Sequence, residues 1–283
     1  MDRLPKKQYA SWADLLVAAF HQGVQNMNPE HLEMASRLLN EDMESSYLRG
    51  VEPPCVRPSS GLNCQGITAL TAEGFGESEK ELPRNLFAVG HFWHNMTYAA
   101  LLSALPRDAF YLQVEEEVSL DPLDWWPKTP QFKQKGHIDL QLKCLDPEWL
   151  PEGEPMELVA DIKTKHSLGM SKIAAVVESS NDVWGNLAQL AVYSDLKGTI
   201  KDGALLIYVN REAPKAKGNQ FKVKRIFGEH LQEELENVKR RVSGEFSPEL
   251  WLRKQAGEKT FMPCQGYCPV QAECEARREG WEV

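Results

Sequence analysis

The sequence predicts an α/β protein built on a mixed β-sheet. The middle of the chain reads helix–strand–strand–strand–helix–strand, an order that places helices against a sheet with both strand directions. Residues 136–143 alternate apolar and polar, as a half-buried strand does, and residues 203–210 form a short unbroken apolar run that reads as a buried strand. The 283 residues are enough for one large domain or two small ones, and 42% apolar with 26% charged residues is ordinary globular composition.

The elements follow in order. Residues 11–21 read as a helix with Ser11 as N-cap, and a second helix starts after Asn28-Pro29 and runs to about Arg49. Prolines, glycines and serines make 50–63 a loop; a helix follows over 65–73, then a Gly/Glu/Pro loop over 74–85. Leu86, Val89, Phe92, Trp93, Met96, Ala100 and Leu101 recur at helical spacing, which predicts a buried helix over 86–104. Strands are expected at 110–119, 136–143 and 157–163, with an insertion carrying Trp125 and Trp126 after the first and a turn region over 145–156 between the second and third. A helix over 181–197, the strand 203–210, a charged helix over 228–243 and an irregular tail from 247 complete the chain.

No apolar run near Met1 is long enough for a secretory signal, and none anywhere reaches the roughly 18 residues of a membrane helix, so a cytoplasmic protein without membrane contact is expected. The net charge of −9 does not favour a nucleic-acid binder, yet a site that holds a metal on carboxylates is itself acidic. Six cysteines are too few for a disulfide scaffold. Cys264, Cys268 and Cys274 crowd the tail while Cys55 and Cys64 lie far upstream, a distribution that points to metal or cluster ligation.

Asp161 and Lys163 sit two apart on one strand and therefore share a face. Asp139, on the preceding strand, joins them if the two strands pair. Charge inside Leu158-Val159-Ala160-Asp161-Ile162-Lys163 is expensive unless it is paired or holds a metal. Two carboxylates and a lysine are what metal-assisted phosphodiester hydrolysis needs: ligands for a divalent cation, and an ammonium beside the attacking water. Two surface acids and a surface lysine would give the same letters. His94 on the apolar helix offers an imidazole, otherwise a satisfied core histidine. Gln189 and Tyr193, four apart, share a helix face. Trp125, Trp126, Lys128, Phe132, Lys133 and Lys135 read either as a stacking surface for single-stranded nucleic acid or as a loop packing its own rings. Lys215, Lys217, Lys222, Lys224 and Arg225 read as a solvated hairpin.

The ordered set Gly90-x-x-x-His94, Gly136-His-Ile-Asp139, Asp161-Ile-Lys163-Thr164 and Gln189-x-x-x-Tyr193 resembles the RecB-type branch of the PD-(D/E)xK nucleases. More narrowly it is similar to the members with an iron–sulfur cluster, among them CRISPR adaptation nucleases, AddB-like nuclease domains and phage exonucleases. The resemblance covers about residues 57–276. It implies a restriction-endonuclease-like sheet flanked by helices, with N- and C-terminal helical and irregular parts joined by a cysteine-ligated cluster: a helical segment over 1–56 and a nuclease domain over 57–283.

Carried over by position, the resemblance makes Asp139, Asp161, Lys163, Gln189 and Tyr193 the catalytic set. It gives Mg²⁺ or Mn²⁺ to His94, Asp139, Asp161 and the carbonyl of Ile162, with help from Glu115 or Glu117. It gives a [4Fe–4S] cluster to Cys264, Cys268, Cys274 and an upstream cysteine, Cys64 in preference to Cys55; from the residues alone, four thiolates suit zinc equally. It implies a DNA exonuclease acting on single strands or DNA ends in recombination, repair or phage DNA processing, with a helicase or recombination protein as partner, and in the host cytoplasm if phage-encoded. The alternatives are a nuclease trimming CRISPR spacer precursors and a non-catalytic iron–sulfur or zinc protein that binds nucleic acid.

Overall fold

The computed structural model describes residues 4–6, 9–48, 55–59, 62, 64–75, 84–165, 170, 185–212, 220–245, 270 and 272–274. Among them, five strands form one sheet in the order β1-β2-β3-β4-β5, with β1 Phe110–Ser119, β2 Lys135–Cys144, β3 Glu157–Lys165, β4 Ala204–Asn210 and β5 Phe221–Ile226. β1, β2 and β3 pair antiparallel, β3 and β4 parallel, and β4 and β5 antiparallel. The sheet is therefore mixed, as expected from the order of elements.

Helices cover both faces. On one side lie α1 (Trp12–Gln25), α2 (Pro29–Leu48) and α4 (Arg84–Ala104); on the other side lie α5 (Asn186–Leu196) and α6 (Gly228–Val242), with α3 (Gln65–Ala72) packed against α6. Ser11 caps α1 by accepting from the Asp14 amide, which satisfies one of the donors a helix start leaves open. Trp12, Leu15, Leu16, Ala19 and Phe20 of α1 pack in the same apolar cluster as Leu140, Leu158, Ile162 and Ile207 of the sheet. The N-terminal helices thus share a core with the strands. Leu187, Leu190, Ala191 and Tyr193 of α5 form the opposite core with Val159, Leu206 and Tyr208.

Several expectations shift. The α4 helix is not buried throughout: Phe92 is 41% exposed and Val89 37%, while Tyr98 to Leu101 are fully covered. The basic run at 222–225 lies within β5, an edge strand in which Phe221 and Val223 face α1 and the lysines take the alternate positions. The Trp125–Trp126 insertion turns inward. Trp126 is 1% exposed and donates to the Lys133 carbonyl, Trp125 donates to Asp195, and Lys128 donates to the carbonyls of Leu120, Asp121 and Leu123. Its rings build core instead of a stacking platform. Among the described residues, no helix is long and apolar enough to cross a membrane.

Candidate active site

The site forms where β1, β2 and β3 stop behaving as regular strands. The β1–β2 register runs Val114↔Leu140 and then Glu116↔Ile138, so Glu115 and Asp139 stand at the intervening step. Glu115 has φ +46°, in the left-handed region that costs a side-chain-bearing residue about 1–2 kcal/mol. Even-numbered residues change face across this step. Leu140 and Leu142 lie in the α1/α4 core, and Ile138 lies in the α5/α6 core. On β1, Phe110 packs with the first and Val118 with the second. A strand of unbroken period 2 would keep each set on one side.

The β2–β3 ladder ends nearby, at Leu140↔Ala160. One residue further, the same register sets Asp139 opposite Asp161. There Asp139 reaches across the sheet plane, and its Oδ2 accepts from the Ile162 amide at 2.7 Å. In an extended strand the carbonyl of a residue points the same way as its N–H, so the Ile162 carbonyl faces this gap too.

The α4 helix delivers His94 and Tyr98, four residues apart on one face. His94 Nδ1 lies 3.8 Å from Asp139 Oδ2, and the Tyr98 hydroxyl donates to Glu115 at 2.7 Å. One ligand atom from each of His94, Glu115 and Asp139 falls within 4.8 Å of the others. On the α5 side, Lys163 donates to Asp161 at 2.9 Å and to the Gln189 side chain at 3.0 Å. Tyr193, one turn further along α5, lies over β2: the His137 amide donates to its hydroxyl, and a Cβ on Gly136 would come within 2.5 Å of that oxygen. A side chain at 136 would displace the tyrosine.

The electrostatics follow from burial of like charges. Asp161 is 2% exposed, and its burial, with Asp139 opposite, raises its carboxyl to about 7 despite Lys163. Burial and Asp139 raise Glu115 to about 7 as well, and burial raises Asp139. Burial and the Lys163 ammonium hold His94 down at about 4, so its imidazole is neutral at physiological pH, the form that ligates metals. Asp161 Oδ2 is buried with no hydrogen-bond partner among the described residues. Oxygens with one imidazole form the donor set of a divalent ion.

The structure brings together His94, Asp139, Asp161, Ile162, Lys163, Gln189 and Tyr193. It also decides between the two β1 acids. Glu115 turns into the group, whereas Glu117 is exposed and paired with Lys135. The two glutamates do not act as equivalent neighbours on one face, because Glu115 sits at the step where the strand changes sides. Tyr98 was missed, although its spacing from His94 is a readable signal. Of the cysteines, Cys264 and Cys268 lie outside the described residues. Cys64 is the N-cap of α3, its sulfur accepting from the Ile67 amide, and it packs in a small apolar cluster with Ile67, Leu70 and Val270 against which Cys274 also lies. Cys55 is not in that cluster and instead accepts from Arg57.

No family model matches the chain, and no curated protein does. Among solved structures, the crystal structure of SSO0001 is similar at 14% identity and a TM-score of 0.41, over 84% of this chain and 97% of that one.

Proposed function

We propose that the protein is a metal-dependent DNA nuclease of the PD-(D/E)xK type, cutting single strands or DNA ends as an exonuclease, on a restriction-endonuclease-like sheet. The observation that carries this reading is the meeting of the His94–Glu115–Asp139 ligand group with the buried Asp161–Lys163 pair at one break in the sheet. Burying this much charge at one place is expensive unless it is paired or holds a metal. Mg²⁺ or Mn²⁺ would be held by His94, Glu115 and Asp139, with Asp161 and the Ile162 carbonyl beside them; when bound it would polarise the scissile phosphate and lower the pKa of water.

The chain's own residues do the rest. Gln189 holds the Lys163 ammonium against Asp161, where it orients the attacking water and offsets charge that develops on the phosphate. Tyr98 orients Glu115, as partners behind metal ligands commonly do. Tyr193 fixes β2 at Gly136 and so fixes Asp139. The shared cluster of Cys64 and Cys274 supports a [4Fe–4S] centre on Cys64, Cys264, Cys268 and Cys274 that ties the tail to α3.

The test is cleavage of end-labelled single- and double-stranded DNA with Mg²⁺ or Mn²⁺, comparing wild type with Asp139→Ala. Cutting by wild type alone is expected, with the product ladder giving polarity. A wild-type protein that cuts nothing while holding its iron would sink the reading. The cluster is tested separately by iron content and a brown absorbance near about 400 nm, against stoichiometric zinc.

A further inference from the structure

One titratable group beside the site is used by none of the steps above. His91 lies one helical turn before His94 on α4, the two rings 6.4 Å apart. Its Nδ1 is 3.1 Å from Asp42 on α2, and Asn95 donates to the same Asp42 oxygen at 3.5 Å. Two side chains of α4 thus hold one carboxylate of α2, and that carboxylate fixes the orientation of the imidazole. The His91 side chain remains 39% exposed, while Asp42 behind it is 28% exposed. With Nδ1 engaged, Nε2 is the ring's remaining donor.

We infer that His91, oriented by Asp42, is a substrate contact that binds a backbone phosphate next to the one being cut. The inference rests on the nuclease reading, and it answers a difficulty within that reading. The walls of the site are acidic (Asp42, Glu115, Asp139 and Asp161), and the substrate is a polyanion. Lys163 is turned inward onto Asp161 and Gln189. A cationic donor at the rim, paired with Asp42, offsets that repulsion. Asp42, 3.1 Å from its Nδ1, favours the charged form of His91, and burial opposes it. Asp42 is accordingly a positioning residue, and α2 takes part in substrate binding through it.

The experiment measures binding of a fluorescent single-stranded oligonucleotide in Ca²⁺, without cleavage, across a salt series, for wild type, His91→Gln, His91→Arg and Asp42→Asn. Loss of one charge-assisted phosphate contact weakens binding by about tenfold. It also reduces the slope of log affinity against log salt by about 0.7. His91→Gln is expected to show both changes, His91→Arg to restore affinity and slope, and Asp42→Asn to fall between. In Mg²⁺ the His91→Gln defect is expected in KM, with kcat changed by less than about twofold. An unchanged salt slope in His91→Gln, or a loss that arginine does not restore, would overturn the contact. Wild-type protein that neither binds nor cuts DNA would overturn the nuclease reading itself; wild-type cutting with a fully active His91→Gln variant overturns the contact alone.

Discussion

The two ends of the β2–β3 pair are made from the same two strands and solve opposite problems. From Leu140↔Ala160 to Lys143↔Glu157 the ladder is continuous, and Leu140, Leu142 and Leu158 are fully buried in one core. One residue beyond Leu140 the ladder ends, an aspartate side chain bonds the neighbouring strand's amide, and Glu115 adopts a left-handed backbone. The first end gains stability from packing. The second gives up regular pairing to gather three acids and a lysine, an arrangement that costs free energy and is typical of sites where strain serves function. Position in a strand therefore does not decide a residue's role here; the side of this break on which it stands does.

The comparison can be broken from either end. Lys163→Ala, at the irregular end, is expected to reduce cleavage by roughly 10²–10³-fold while DNA binding holds, measured on end-labelled DNA and by oligonucleotide binding. Leu142→Ala, at the regular end, should do the reverse, costing about 2–5 kcal/mol in denaturant unfolding with the metal response of the folded protein kept. Gly136→Ala should cost about 1–3 kcal/mol by forcing the Tyr193 hydroxyl aside, and adding Tyr193→Phe should recover part of it; equal stability of single and double variants would show that the tyrosine moves freely.

A further effect is on pH dependence without metal. Asp161 and Glu115 hold their protons to about pH 7 when folded, against about 4 in the unfolded chain. The folded state then binds more protons than the unfolded state across about pH 4 to 7, so stability falls as pH rises through that window. His94, held at about 4, acts in the opposite sense up to about 6.5, but two carboxyls outweigh it. A divalent cation removes the penalty, so the Mn²⁺-induced rise in melting temperature should be larger at pH 8 than at pH 5. A shift of equal size at both would mean that the acids do not hold the ion.

Much of this frame was legible in the sequence. The first three strands and α1 to α4 fall within a few residues of their expected bounds because period 2 and period 3.6 are strongly written there. The basic run Lys222, Lys224 and Arg225 read as a hairpin, and it does pair antiparallel with β4; what its charges masked is that Phe221 and Ile226 are buried and Val223 partly so. Asp139, Asp161 and Lys163 stood out because charge among hydrophobes is conspicuous. Glu115 could not be separated from Glu117, since face parity is the rule by which strand residues are compared and this strand changes parity between them. The Asp42–His91 pair joins two helices far apart in the chain, and no local pattern announces it.

The α5 helix has a consequence for how far the break can open. Gln189 grips the lysine of β3, and Tyr193, one turn on, rests on β2. The distance between those two holds is four residues of helix rise, about 6 Å. The aperture between the parting strands is thus gauged by a rigid rod lying across it. Tilting that rod would shift Lys163 and Asp139 together, so the two halves of the site move as one with α5.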